Sequence, residues 1–280
     1  MSIRIVTDSS CDLNKDIIDK YNICVIPLSV TFEGNKTYVD GEISIPDFYS
    51  RMKSQKSLPK TACPSPETFK NIFEEDGNEI IVITITSKLS GVYSAANLGK
   101  NLFEEENTSK KIALIDSELG CMAHGILVYH AAKLVNEGLR FEEIVEELEN
   151  MKRKIVTYGT LDTLENAIKG GRINPLAGKI INALNFKAII KVYEHEVKPI
   201  DKARGENKSL TKVVEKMNEN IDKNKTDKIL FVGHANCEEK AKRVVDLMLK
   251  DNKFEEIVIC NIGIVMGVYT SSGAIIVSCY

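Results

Sequence analysis

The sequence predicts an α/β protein of two domains: an N-terminal open, mainly parallel sheet with helices on both faces, then a smaller C-terminal α/β domain with a mixed sheet. Three observations predict it. The first half alternates short β-rich runs with helical stretches, the pattern of a parallel sheet with crossover helices. Within it, Ile80-Ile81-Val82-Ile83-Thr84-Ile85 is continuously apolar and mostly β-branched, as a strand buried on both faces is. The rhythm then changes near residue 153, which divides the chain into 1–153 and 154–280, with room for the last strand to pack back between the domains. With 280 residues, 43% hydrophobic and 28% charged, the chain has the material for a core and does not read as disordered or fibrous.

Ile3 to Thr7 alternates as a strand and ends in Asp8-Ser9-Ser10, after which Asp12 to Tyr21 reads as a helix. Cys24 to Val30 is extended, with Pro27 marking an edge or an irregularity. Pro46 to Lys53 is helical, and Lys56 to Pro66, with three prolines, reads as loop. A helix from Glu67 to Phe73 leads to the Ile80–Ile85 strand. Ser87 to Gly91 is the turn and Val92 to Glu105 the next helix. Ile112 to Asp116 is a fourth strand, followed by helices at about 120–137 and 141–153. In the second half, Ile155 to Leu161 is a strand and Thr163 to Lys169 a short helix closed by Gly170-Gly171. Lys187–Val192 and Val197–Asp201 form a hairpin around Glu194-His195. Helix 209–222, strand Lys228–Val232, helix 238–250 and strand Ile257–Ile262 follow.

Composition narrows the function classes. Charge is balanced, 37 Lys+Arg against 40 Asp+Glu, whereas a protein that neutralises many phosphates carries a basic excess, so nucleic acid is not an expected partner. The 7 cysteines follow no spacing and include no C-x-x-C, as expected of reduced thiols in a cytoplasmic protein. Met1 to Asp8 lacks a basic segment followed by an apolar run, so no signal peptide is expected. Ile257 to Tyr280 carries no charge and is long enough to span a bilayer. Asn261, Gly263, Gly267, Thr270, Ser271, Ser272 and Gly273 interrupt it, and two buried strands joined by a polar loop are expected instead, without stable membrane insertion.

The most informative local feature is Thr86-Ser87-Lys88-Leu89-Ser90-Gly91-Val92-Tyr93. It follows a buried strand and opens a helix, the edge at which open α/β sheets bind ligands. Unpaired amides and a partial positive charge there, with the hydroxyls of Ser87 and Ser90, suit an anion; the alternative is that either serine is an ordinary helix cap. Asp8-Ser9-Ser10-Cys11-Asp12 sits at the equivalent place after the first strand. Asp8 and Ser9 are candidate ligand groups, Asp8 also a candidate metal ligand, while Ser10 or Asp12 would equally cap a helix. Lys60-Thr61-Ala62-Cys63-Pro64-Ser65 is a loop whose Thr61 hydroxyl could reach a ligand.

Catalytic signatures are weak. There is no G-x-S-x-G, H-E-x-x-H, G-x-G-x-x-G or P-loop. S-x-x-K occurs at Ser50/Lys53 and Ser57/Lys60 without its companion motifs. Cys121 and His124 have metal-ligand spacing, but a turn of an amphipathic helix accounts for them better. His124, His130, His195 and His234 are scattered. The residues alone therefore yield an α/β protein with a Ser/Thr-rich small-anion site, no cofactor and no evident catalytic base.

These motifs together resemble the DegV family, whose members include the fatty-acid-binding subunits of the bacterial fatty acid kinase. Thr7-Asp8-Ser9-Ser10-Cys11-Asp12-Leu13 resembles the family's T-D-S-x-x-D-L, and Lys60-Thr61 with Pro64-Ser65 its K-T-S-Q-P-S. Ser87-Lys88-Leu89-Ser90-Gly91 resembles S-x-x-L-S-G-T, Ile115-Asp116-Ser117 a central V-D-S, Gly170-Gly171-Arg172-Ile173 G-G-R-I, and Leu184-Asn185-Phe186-Lys187 L-N-x-K-P. The resemblance runs the full length in the same order. It implies a non-enzymatic, cytoplasmic carrier that buries a long-chain fatty acid such as palmitate and presents it to a kinase subunit or acyltransferase.

Carried over, Thr61 and Ser90 would hold the carboxylate beside the Gly91 helix start, and Arg172 would dock the kinase subunit or, alternatively, serve as a salt-bridged helix-end arginine. The family's C-terminal G-T-H-T-G-P-G-A reads here Gly267-Val268-Tyr269-Thr270-Ser271-Ser272-Gly273-Ala274. Tyr269 thus replaces a head-group histidine, with a hydroxyl that still donates but reaches farther. Val92 replaces a threonine, and Ala62-Cys63 replace Ser-Gln. Two other readings stand beside the carrier: a binding module for a different amphiphile, motivated by Tyr269, and an enzyme with Ser90 as nucleophile.

Overall fold

The first strand, β1 (Ile3–Asp8), is central in a parallel sheet, and everything at its carboxyl edge is built by the loops that leave it and its neighbours. The structure, a computed structural model, describes residues 3–75, 77–106, 109–178 and 185–280. A 3₁₀ turn (Ser9–Cys11) and α1 (Lys15–Tyr21) lead from β1 to β2 (Cys24–Ile26). Beyond Pro27, which breaks the extended run, β3 (Ser29–Thr31) pairs with β4 (Thr37–Val39) and β5 (Lys60–Ala62) in a separate antiparallel sheet of order β4-β3-β5. Between β4 and β5 lies α2 (Ile45–Ser54), capped by the Ser44 hydroxyl, which accepts from the Asp47 N–H at 3.2 Å. β5 corrects the expectation that Lys56 to Pro66 is all loop. Three residues between prolines carry no periodicity, and the strand exists because β3 is there to receive it.

α3 (Pro66–Glu74) precedes β6 (Glu79–Thr84), then α4 (Val92–Glu106), β7 (Lys111–Asp116), α5 (Met122–Asn136) and α6 (Phe141–Met151). The first sheet has the order β2-β1-β6-β7, and every pairing in it is parallel. Ile80 to Ile83 are wholly buried, the outcome their β-branched run predicts.

The second sheet draws on β8 (Val156–Leu161), β9 (Phe186–Tyr193), β10 (Glu196–Arg204), β11 (Ile229–His234), β12 (Glu256–Asn261) and β13 (Ile275–Cys279). Its order is β10-β9-β8-β13-β11-β12, with β11–β12 parallel and the other pairings antiparallel. The expected mixed sheet is therefore present, and β13 sits inside it, between β8 and β11. α7 (Glu165–Lys169) and α8 (Pro175–Gly178) join β8 to β9, while α9 (Glu206–Asn220), α10 (Glu238–Met248) and α11 (Ile264–Thr270) connect the later strands. α11 corrects the expectation of two strands joined only by a loop. Gly263, Gly267, Thr270 and Ser271 disguised a short helix whose inward residues are apolar. Leu184 of the expected L-N-x-K-P match lies outside the described residues. Among the described residues, no helix is long and apolar enough to cross a membrane.

α5 reads as amphipathic in sequence but is buried along most of its length, only His130, Lys133, Val135 and Asn136 reaching the surface, as a helix enclosed by protein is. It packs on β1, β6 and the 3₁₀ turn of the first sheet and on β11 and β13 of the second. Gly125 allows the approach: a Cβ there would lie 2.5 Å from the Cys11 carbonyl oxygen. His124 is fully buried, its Nε2 lying 3.0 Å from Thr7 Oγ1 and 3.2 Å from the Ile83 carbonyl oxygen. Desolvation lowers its pKa, so the ring is held neutral. Among the described residues, no cluster of three or more His, Cys, Asp or Glu is placed to hold a metal.

Candidate ligand site at the sheet edges

The carboxyl edge of the first sheet meets the second sheet around a cavity of about 300 Å³, at the low end of the range for small-molecule pockets. Ile85, Leu89, Ser90 and Gly91 come from the β6–α4 loop, and Gly120 and Cys121 from the β7–α5 loop. Thr61, Ala62 and Cys63 come from the end of β5. The second sheet contributes Leu161, Ile190, Val192, Val197 and Ile276, and α11 contributes Val265, Met266, Tyr269 and Thr270. The wall is chiefly aliphatic.

Polar groups converge on one part of it. Thr61 Oγ1 lies 2.6 Å from Tyr269 Oη. The Arg172 guanidinium stacks over the Tyr269 ring at 4.7 Å from its centroid, a cation–π contact. Its Nε donates to the Leu89 carbonyl at 3.1 Å and its Nη1 to the Gly170 carbonyl at 2.6 Å, which ties the α7 end to the residue before Ser90. Gly170 is required here, since a Cβ would fall 2.4 Å from Tyr269 Cε1. Cys63 Sγ packs 3.5 Å from where a Gly91 Cβ would stand. Thr61, Ser90, Gly91, Tyr269 and Arg172 are thus gathered at one place from four distant stretches of chain.

Neither Ser87 nor Ser90 caps α4 through its hydroxyl. The Ala95 N–H bonds the Gly91 carbonyl at 2.9 Å, and Ser90 Oγ has no protein partner among the described residues. Ser87 is exposed, away from the cavity, with its N–H on the Asp116 carboxylate at 3.2 Å.

Asp8 and Ser9 are not among the lining residues. Asp8 is fully buried and accepts from the Ser10 N–H at 3.1 Å, from the Ser10 hydroxyl and from the Ile85 N–H at 2.8 Å. Ser9 Oγ accepts from the Leu28 N–H at 3.1 Å. Asp12 does not cap α1; its Oδ1 accepts from the Gly263 N–H at 2.8 Å, and Asp40 Oδ1 faces the Ile264 N–H at 3.4 Å. Two carboxylates therefore hold the start of α11, the helix that carries Tyr269. Burial raises the pKa of both, Asp12 strongly. Cys121 beside them is raised well above an ordinary thiol, first by burial and then by the Asp12 charge, so it stays protonated.

Chemically, the arrangement is an apolar chamber with hydroxyl donors and one cation. None of the four histidines lines it, and no base touches Ser90 Oγ among the described residues. The sequence alone missed Gly120, Cys121, Val265 and Met266. The β7–α5 loop was findable, because it leaves the same sheet edge as the Ser90 loop; the α11 residues carried no such signal.

Comparison with known proteins places the chain among bacterial relatives. A family model described as "Uncharacterised protein, DegV family" matches residues 2–280. A DegV domain-containing protein of Clostridium acetobutylicum is 33% identical over 285 aligned residues, covering 100% of this chain and 98% of the relative. A DegV family crystal structure from Ruminococcus gnavus, refined with vaccenic acid, superimposes with a TM-score of 0.92 at 29% identity, over 99% of both chains. The Streptococcus pneumoniae fatty acid kinase (Fak) B3 protein, loaded with linoleic acid, does so at 0.89 and 25% identity, over 99% of both chains.

Proposed function

This chain belongs to the DegV family, and from that premise we propose that its cavity binds a long-chain fatty acid, palmitate being the reference ligand. The observation that carries the reading is the junction of an aliphatic chamber with the hydroxyls of Thr61, Ser90 and Tyr269. A carboxylate leaving water needs donors to offset its desolvation, and three hydroxyls supply them beside the Arg172 charge. The Thr61–Tyr269 bond already present would open to admit it, each hydroxyl turning its proton to a carboxylate oxygen. Affinity comes from the tail, at about 0.8 kcal/mol per buried CH₂.

The protein acts as a carrier that presents the head group to a fatty acid kinase subunit, with an acyltransferase as the onward recipient. The linoleate-loaded fatty acid kinase B3 relative supports the kinase half of that reading. Arg172 serves as the docking residue: Nε and Nη1 are engaged by carbonyls, which leaves Nη2 for a partner's acidic group.

The experiment is solvent extraction of natively purified protein followed by mass spectrometry, with reloading of delipidated protein as the second arm. About one equivalent of fatty acid per chain is expected. An empty extract with failed reloading would falsify the reading.

A further inference from the structure

The β9–β10 hairpin parts from its neighbour. Pairing with β8 stops at Tyr158↔Lys191, although β8 continues back to Val156, so residues 192–197 form a two-stranded tip that β8 does not hold. Two cavity-lining side chains, Val192 and Val197, stand on that tip, facing each other across the hairpin. At its base the register shifts between Pro199 and Asp201, leaving Ile200 as an extra residue, the kind of bulge about which a strand bends.

The turn itself is Glu194-His195, with φ 47° and 65°. A two-residue hairpin turn of this hand favours Asn and Gly, so two bulkier residues hold it at a conformational cost that surrounding contacts must offset. Those contacts are on the other sheet. The His195 N–H donates to the Glu118 carbonyl at 3.1 Å, and His195 Nδ1 lies 2.7 Å from Thr86 Oγ1. The carboxylates of Asp116 and Glu118 lie 3.9 Å and 3.8 Å from the two ring nitrogens. Lys152 fixes Glu118 at 3.0 Å.

Thr86 is also the anchor of the Ser90 loop: its carbonyl accepts from the Leu89 and Ser90 N–H groups at 3.1 and 3.3 Å. Glu118 opens the Gly120-Cys121 segment. One residue, His195, therefore links the hairpin tip to the loops that lead into two other parts of the cavity wall.

We infer that the hairpin tip is the movable wall of the cavity and that His195 is the clasp that holds it shut, so that ligand enters and leaves when the His195–Thr86 contact opens. The idea rests on the fatty-acid reading for its ligand but not for its motion. His195 is a positioning residue that touches no part of the proposed ligand site itself.

Two variants approach the clasp from opposite sides. His195→Asn keeps a residue suited to the turn but is too short to span to Thr86, and Thr86→Val removes the hydroxyl at nearly constant shape. Stopped-flow fluorescence with cis-parinaric acid should show association and dissociation each faster by about fivefold in both variants, the effect of one net hydrogen bond. The dissociation constant should stay within about twofold, because a clasp remote from the ligand lowers the barrier without changing its ends.

Unchanged dissociation in either variant overturns the inference. So does faster dissociation with unchanged association, which would make His195 an affinity residue. Hydrogen exchange of ligand-free protein is the independent arm: amides of residues 192–197 should exchange faster in both variants, and equal exchange overturns the clasp. If the parent protein takes up no fatty acid, the functional reading fails, and the clasp is still decided by the exchange rates.

Discussion

Two turns leave the carboxyl edge of the first sheet with similar composition and opposite fates. Asp8-Ser9-Ser10 follows β1, and Ser87-Lys88-Leu89-Ser90 follows β6 closely. In the first, every polar side chain is consumed by protein: Asp8 by Ser10 and Ile85, Ser9 by Leu28. In the second, the Ser90 hydroxyl is left facing an apolar cavity. Hydroxyl-rich turns at a sheet edge become ligand sites only where the fold does not supply their partners, because a buried polar group takes whichever donor or acceptor is nearest. The first turn is a brace, and the second is the proposed receptor.

The largest test of that contrast is Asp8→Ala. It strands the buried Ser10 and Ile85 amides, so urea denaturation should show a loss of about 3 to 5 kcal/mol. Fatty-acid affinity of the remaining folded protein should be unchanged; a loss below about 1 kcal/mol would remove the brace.

Ser90→Ala and Thr61→Val should do the reverse. Each is expected to weaken fatty-acid binding about tenfold by isothermal titration calorimetry, with the urea midpoint nearly unmoved in Ser90→Ala and a stability loss of about 1 kcal/mol in Thr61→Val, which also gives up the bond to Tyr269. Equal affinity to the parent in both variants would break the receptor half of the comparison.

A subtler test uses Asp12, the carboxylate at the start of α11. Its folded-state pKa is raised by burial, so the folded protein holds a proton that the unfolded chain releases. Stability from this group is fully present below the ordinary carboxylate pKa of about 3.9 and is lost as pH rises through the folded value. Asp12→Asn keeps an acceptor for the Gly263 N–H and has no proton to lose. The variant should therefore gain on the parent between about pH 4 and neutrality, read as the difference in urea midpoints; parallel profiles would refute it. His124, with its lowered pKa, acts in the opposite direction: its stability is present above about pH 6.5 and lost as pH falls. It is common to both proteins and cancels in the difference.

The smallest effect belongs to Ser87→Ala. The hydroxyl is exposed and the Asp116 contact is made by the backbone, so stability should change by less than about 0.5 kcal/mol and affinity not at all.

Most of the architecture was legible because long, strongly patterned segments decide their own structure. β6 announces itself by β-branched continuity, and the β9–β10 hairpin by its flanking runs. β5 and α11 were hidden for a shared reason: three residues beside prolines and a seven-residue helix flanked by Gly263 and Ser271 carry too little periodicity, and tertiary neighbours chose their conformation. α5 was mistaken for amphipathic because the sequence does not say that protein covers both of its sides.

The site divides the same way. The motifs point to Thr61, Ser90, Gly91, Tyr269 and Arg172, and the structure gathers them around one cavity. They point equally to Asp8 and Ser9, which face into the fold. The difference lies in partners such as Ile85, far along the chain from Asp8, which no local pattern reveals.

The enclosed helix α5 has a consequence for how the molecule comes apart. Because it is the shared floor of both sheets, neither sheet can melt without uncovering apolar surface that the other still needs. The two sheets are thereby expected to unfold together as one cooperative unit rather than as independent halves.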